Sequence, residues 1–467
     1  MTTLFDLEPL EDIMETLVFE DEPNIFNEEH AIDLLETALH LMEDFMEQHP
    51  NIISEPDFHE ILLEEIKEIF YVQMEDHILE NDYIENDMND LLEDAFYIFI
   101  TMFYPDRSLK NDNEYHENNS EEKSEINEEE TNIIKHKIQV LREIPQPLQR
   151  TSEWYKFRWN LITASNAWKA FDTQNTINQL IYEKCQPLED LTNETFNNGY
   201  SKMVNTNTTL HWGQKYEPLS IMLYEHMYNS KVEDFGCIQH PFYKFIGASP
   251  DGIIVKSETE RFGRMLEIKN IVNREITGIP KKEYWIQMQL QMEVCDLEKC
   301  DFLETKFTEY SDYQSYRNDS TTSVYNGEEF NSFVTTKQGS YKGIIVHFHT
   351  NSGSPHYEYM PLNLWTPEHV NEWESSIIQK YESEPYKYTF LRFIYWKLEK
   401  FSCVLVLRNK EWFKNNIGQL EKVWKTIEEE RITGYEHRAP TKKEKKEQPL
   451  RPYVGEEKCL LKVIKIN

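Results

Sequence analysis

Asp251, in "FIGASPDGIIV", and Glu267 and Lys269, in "RMLEIKN", are residue types that can support metal-assisted hydrolysis if the fold brings them face to face. Two carboxylates offer the hard oxygen ligands that suit Mg²⁺ or Mn²⁺. A lysine beside them can orient or help deprotonate an attacking water and balance negative charge. In a strand over Met265–Lys269, Leu266 and Ile268 point to one face while Glu267 and Lys269 share the other. Asp251, at the end of a neighbouring strand, could then meet Glu267 across the pair. The plain alternative is a turn aspartate followed by an exposed Glu-Lys pair. Pro-Asp-Gly is ordinary turn chemistry, with proline presetting φ and glycine tolerating positive φ.

Other stretches hold residues that could complete such a site. "HWGQKYEPLSIMLYEHMY" reads as a helix with Leu219, Met222, Leu223, His226 and Met227 in one stripe. Its early turns carry Glu217, either a further metal ligand or a helix-start glutamate favoured by the macrodipole. "YWIQMQLQMEV" reads as a helix with Gln287 and Gln291 on one face and Met288 and Met292 on another. Gln287 and Gln289 could hydrogen-bond a nucleophilic water or a phosphate, or merely cover a helix surface. In "RTSEWYKFRWNLITASNAWKAF", Arg158 and Ser165 form a plausible phosphate pocket, the arginine through a bidentate contact and the serine at a helix start.

These elements belong to a chain of 467 residues with 39% hydrophobic and 28% charged residues and a mean hydropathy of -0.68. That length allows two or three domains. Residues 1–130 hold 40 acidic and 4 basic residues, which is the whole net charge of -36. The remainder is balanced, so overall acidity does not exclude a basic groove for nucleic acid. Residues 1–105 read as an acidic, all-α domain, 106–132 as an acidic, disordered linker and 133–432 as mixed α/β. Residues 433–467 read as a basic tail ending in a short β-like run. "TKKEKKEQPLR" within it suits a solvated tail, a nuclear-localisation signal or a backbone-contacting segment. Six scattered cysteines without a Cys-x-x-Cys pair point to free thiols in a reducing compartment. No apolar run reaches the ~20 residues of a membrane helix, and the acidic start is unlike a signal peptide. A soluble, intracellular protein is expected.

In order and spacing, the candidate residues resemble the YqaJ/lambda-type exonuclease family of the restriction-endonuclease-like PD-(D/E)xK superfamily. Arg158 and "TAS" at Thr163–Ser165 match its first element, Gly213 and Glu217 its Gly-x-x-x-Glu helix, and Ser249–Gly252 its Ser-Pro-Asp-Gly. Glu267 and Lys269 match Glu-x-Lys, and Tyr284, Gln287 and Gln289 match Tyr-x-x-Gln-x-Gln. The likeness spans roughly Gln149 to Glu304. "FIYWKLEKFSCVLVLRNKEWFKNNIGQLEKVWKTI" is also similar to the C-terminal extension of members in large DNA viruses.

The resemblance implies a mixed central sheet flanked by helices, and an enzyme that degrades one strand of duplex DNA from an end, usually 5′ to 3′. It implies Asp251, Glu267 and Glu217 as ligands of two Mg²⁺ or Mn²⁺ ions, Lys269 as the residue assisting water, and Gln287 beside it. Arg158, Ser165, Ser249 and Gln289 would hold DNA or its 5′-phosphate, and Arg274 would touch the backbone. Two departures stand out: "SETERFGR" makes the Asp251–Glu267 connection long, and the cysteines give no four-ligand set for the iron-sulfur cluster of a related branch. A ring of subunits is known in the family, though a large N-terminal domain could block it. The acidic helices could cover the cleft as a DNA mimic, dock a basic partner such as a strand-annealing protein, or simply be solvated. An endonuclease, a flap or defence nuclease of the same fold, or a DNA-end-binding scaffold are the competing functions.

Overall fold

The computed structural model describes residues 28–49, 52–80, 83–103, 128–148, 151–188 and 208–440, with Phe26 and Thr206 and apart from a few single positions. Three helices lead: α1 (Glu28–Gln48), α2 (Phe58–Glu80) and α3 (Tyr83–Phe103). Ala38, Met42, Leu62, Ile66, Leu92 and Ala95 are buried among them, so the apolar stripes face inward and the acidic faces outward. Helix α4 (Glu128–Glu143) starts inside the stretch expected to be a linker. Its three leading glutamates lie in the first turn, where the macrodipole favours them. The rest of the expected linker, and the basic tail from residue 441, lie outside the described residues.

Helix α5 (Ser152–Trp159) leads through strand β1 (Ile162–Thr163) into the single turn α6 (Ala164–Ala167) and then α7 (Gln174–Cys185). After α8 (Thr209–Met227) come the short strands β2 (Val232–Glu233), β3 (Ile238–Gln239), β4 (Ile246–Ala248) and β5 (Gly252–Ile254), then β6 (Met265–Asn270). Helix α9 (Lys282–Cys295) connects β6 to β7 (Lys299–Glu309). Next follow α10 (Tyr313–Asn318), the hairpin β8 (Thr322–Tyr325) and β9 (Glu328–Asn331), and the strands β10 (Lys342–Thr350) and β11 (Pro355–Tyr359). Then come α11 (Pro367–Glu382), β12 (Tyr388–Leu407) and α12 (Lys410–Thr433).

Seven strands form the central sheet in the order β11-β10-β12-β7-β6-β5-β2, and β1-β4-β3 form a smaller one. Within the seven, only β6 and β7 run parallel. A parallel pair cannot be joined by a tight hairpin, and α9 is the crossover that joins this one. One face of the sheet carries Leu266, Ile268, Leu303 and Phe307 against Leu219 and Leu223 of α8. The other buries Met265 and Phe302 with Met288 and Met292 of α9. The expected architecture, a mixed sheet flanked by helices behind a helical N-terminal region, is what the chain adopts.

The residues after α12 are not wholly a tail. Arg438 pairs with both carboxylate oxygens of Glu430 at 2.5 Å and donates to Asn178 Oδ1, which pins the turn Glu436–Arg438 to α12 and α7. No described helix is long and apolar enough to cross a membrane.

Candidate active site

The register of β5 and β6 builds the site. Gly252 lies opposite Leu266 and Ile253 opposite Met265, so Asp251 enters β5 beside Glu267. The Asp251 amide donates to Leu266 O at 3.1 Å, and its carboxylate accepts from the Ile268 amide at 2.7 Å. Asp251 is thus the first rung of the sheet rather than the tip of a turn. Gly252 has no positive φ. It is needed for a different reason: a Cβ there would lie 2.2 Å from Val232 Cγ1. The reversal comes later, where Gly263 (φ +79) closes the long β5–β6 connection against Ile134 of α4.

Glu267 is the centre of the cluster and only 1% exposed. Its Oε1 receives the Lys269 ammonium and, at 2.7 Å, the Gln287 amide, while Oε2 receives the Gln291 amide at 2.7 Å. Gln291 also reaches Ser249 O at 3.3 Å, tying the aspartate loop to the glutamate strand. Lys269 Nζ lies 3.5 Å from Gln287 Oε1 and 4.7 Å from the centre of the Tyr284 ring. Burial works against its charge, but Glu267 and Asp251 outweigh burial and hold its pKa above the ordinary lysine value. It is therefore a fixed cation in this arrangement, suited to orienting water and balancing charge rather than to taking a proton.

Asp251 titrates the other way. Burial first, then the carboxylates of Glu267 and Glu217, push its pKa well above the usual range, against the pull of Lys269 and the Ile268 amide. Glu217 is therefore close enough to act on Asp251. It sits in the third turn of α8, beyond the reach of the macrodipole, so a helix-start role does not explain it. Asn270 fastens that helix to β6: its amide donates to Gly213 O at 3.1 Å, and its Oδ1 accepts from Ser220 and Thr305 at 2.7 Å.

Among the described residues, no three His, Cys, Asp or Glu side chains form a ready-made metal cage. The donor chemistry nevertheless fits Mg²⁺ or Mn²⁺. Magnesium keeps several waters and takes one or two carboxylates together with substrate phosphates. Mutual repulsion among Asp251, Glu267 and Glu217 is what a divalent cation relieves, and Gln291 Oε1 is a buried acceptor with no hydrogen-bond partner beside them.

The other expected residues divide. Arg158 Nη1 stands 3.4 Å from Ser249 Oγ, stacks 4.5 Å from the Trp154 ring, and its carbonyl accepts from the buried Lys184 at 2.9 Å. Ser165 is exposed on α6, 3.3 Å from Thr163 Oγ1, and α6 packs against β4, the strand that runs into Ser249. Gln289 does not join the site. It is 1% exposed and bridges Leu407 O and the Asn409 amide, tying α9 to the end of β12. Arg274 is engaged by Glu304, a buried carboxylate on β7 directly beside Lys269. Neither Gln291's hold on Glu267 nor Glu304 was assigned from sequence. The shared helical face of Gln287 and Gln291 signals the first, whereas the second depends on pairing with a distant strand.

Residues 153–298, which span all of these elements, match the family model of the YqaJ-like viral recombinase domain. This segment is similar to a YqaJ-like viral recombinase domain. An uncharacterized protein of Acanthamoeba polyphaga mimivirus is 29% identical over 315 residues, 62% of this chain and 54% of that protein. The chain thus spans about half the length of the curated relative it matches. An alkaline exonuclease from Laribacter hongkongensis is 17% identical with a TM-score of 0.32, covering 62% of this chain and 95% of that one. Its complex with dAMP gives a TM-score of 0.31. The matched segment ends just before β7, so Glu304 and all of β10–β12 lie outside it.

Proposed function

We propose that the chain is a divalent-metal-dependent DNA exonuclease that hydrolyses phosphodiesters from duplex ends, 5′ to 3′, in recombination, repair or replication. The observation that carries this reading is the buried Glu267, clasped by Lys269, Gln287 and Gln291 next to Asp251, within a YqaJ-like domain. Asp251, Glu267 and Glu217 would hold the ions, which supply charge stabilisation to the attacking and leaving oxygens when bound.

The chain's own groups do the rest. Gln287 and Gln291 fix the Glu267 carboxylate so that neither oxygen can swing away. Lys269 orients the attacking water and balances the charge that grows on the phosphate. Arg158 and Ser249 receive the terminal 5′-phosphate, with Ser165 on the adjoining turn. As the water oxygen bonds to phosphorus, the bond to the leaving sugar oxygen breaks, and the proton given up by water ends on that oxygen. The acidic N-terminal helices are the surface that would meet a basic strand-annealing partner.

The test is degradation of linear duplex DNA with labelled 5′ ends. Loss of label requires Mg²⁺ or Mn²⁺, stops in EDTA, favours 5′-phosphate over 5′-hydroxyl, spares a closed circle and disappears in Lys269→Ala. Cutting of the circle would replace this reading with an endonuclease. Binding without cutting under any metal would replace it with an end-binding scaffold.

A further inference from the structure

Beneath the first turns of α8 lies a cavity of about 240 Å³, walled by Thr208, Lys215, Glu309, His347, Tyr357 and Arg392. Lys215 stands two residues before Glu217, and Val272, also in the wall, three residues after Lys269. The cavity therefore adjoins the site without sharing a residue with it. Four of its ten wall residues, Glu309, His347, Tyr357 and Arg392, come from β7, β10, β11 and β12, outside the YqaJ-like segment.

Its charge is positive. The Lys215 ammonium is paired with Glu309, whose carboxylate also accepts from Tyr216 at 3.0 Å, so those two cancel. Arg392 is exposed and has no ion-pair partner among the described residues. His347 is 5% exposed, yet neither ring nitrogen has a hydrogen-bond partner. Buried polar groups are rarely left so, because the lost hydration is not repaid. Burial first, then His349, Arg392, Lys215 and His211, bring its pKa down to about 4. At neutral pH the ring is uncharged, with one N–H to donate. The Thr208 hydroxyl caps α8 by accepting from the His211 amide at 3.1 Å. The leading amides of this 19-residue helix make no intrahelical bond and carry the positive end of its dipole.

A free guanidinium, an unpartnered buried imidazole and a helix N-terminus around one small cavity describe an oxyanion site. We propose that this cavity holds a backbone phosphate of the DNA substrate, with Arg392, the leading amides of α8 and the His347 ring as donors. The proposal rests on the nuclease reading above. The volume falls below the ~300–1,000 Å³ of sites for drug-sized ligands. It is large enough to admit a phosphate group. A phosphate anchored here would hold the duplex from the β10–β12 side while the carboxylates act on the end.

The experiment measures binding of a 5′-phosphorylated duplex to the full chain in EDTA by fluorescence anisotropy across a salt series. Wild type is compared with Arg392→Gln and Arg392→Lys. Arg392→Gln weakens binding several-fold at low salt and lowers the slope of log K against log salt by about 1. Arg392→Lys keeps the charge and restores the slope. In parallel, the ring resonances of His347, assigned by their loss in His347→Gln, shift when duplex is added. Unchanged affinity and slope in Arg392→Gln, with wild type still binding and degrading duplex, overturns this inference alone. A slope change without any His347 shift moves the arginine contact out of the cavity and also overturns it. So does a His347 shift produced by inorganic phosphate or a free 5′-mononucleotide but not by duplex, since the site would then serve small anions. A wild type that neither binds nor degrades duplex removes both this inference and the reading beneath it.

Discussion

Gln289 and Gln291 stand two positions apart on α9 and hold different parts of the molecule together. Gln291 fixes Glu267 and the Ser249 carbonyl, whereas Gln289 is a buried brace to Leu407 and Asn409. Gln291→Leu is expected to lower the hydrolytic rate by about 10–100-fold, the usual cost of removing a group that orients a ligand carboxylate. Gln289→Leu should instead cost about 1–3 kcal/mol of stability by orphaning a buried amide and carbonyl, with the rate per folded molecule kept. Thermal melts alongside single-turnover rates separate the two. The 3.6-residue period makes this division legible, since Gln287 and Gln291 share a face that Gln289 cannot join. A motif spacing alone puts Gln289 in the site. Glu304 is beyond such reading, because its place beside Lys269 follows from a strand register that local sequence does not contain.

At the scale of elements, the pairs β5–β6 and α5–α7 each carry a test. Gly252→Ala forces a methyl group into Val232 at a distance no real contact tolerates. Overpacking of this kind costs about 1–3 kcal/mol, and it would move Asp251 as well. Adding Val232→Ala should recover both the melting temperature and the activity. Under α5, Lys184 is 8% exposed and its pKa is brought down to about 7, by burial first and then by Arg158 and Arg431. The unfolded chain binds that proton up to the ordinary lysine value and the folded chain does not. Stability therefore rises as pH climbs from about 7 towards 10.5, and the penalty is fully present below about 7. In Lys184→Met that rise should vanish from urea midpoints measured between pH 6 and 9. The helices were legible from their apolar stripes. The glycine's purpose was not, because Val232 lies on a strand whose pairing is set by tertiary structure.

For the whole molecule, charge is the dominant asymmetry. Nearly all the net negative charge precedes α4, and the domain that would meet DNA is balanced. Removing residues 1–127 should tighten duplex binding at low salt, where the acidic helices repel phosphate over a long range. The gain should fade towards ~1 M salt, where the screening length is only about 3 Å. Anisotropy titrations of both forms at matched salt would show it, and a gain that persists at high salt would point to direct masking of the cleft instead. The division between an acidic helical region and an α/β core could be read from composition. Where the core begins could not, since the glutamates opening α4 look like more of the same acidic run.

The one parallel pair of the sheet has a kinetic corollary. Because β6 and β7 run the same way, the chain must cross back between them, and the crossing helix supplies Gln287 and Gln291. Asp251, Glu267, Lys269 and both glutamines therefore fall within a single stretch of forty-one residues, from Asp251 to Gln291. Contacts so near in sequence close early and open together. Amide exchange at Leu266, Ile268 and the middle of α9 would then share one opening free energy, and inactivation would come as one cooperative event rather than as a gradual loosening.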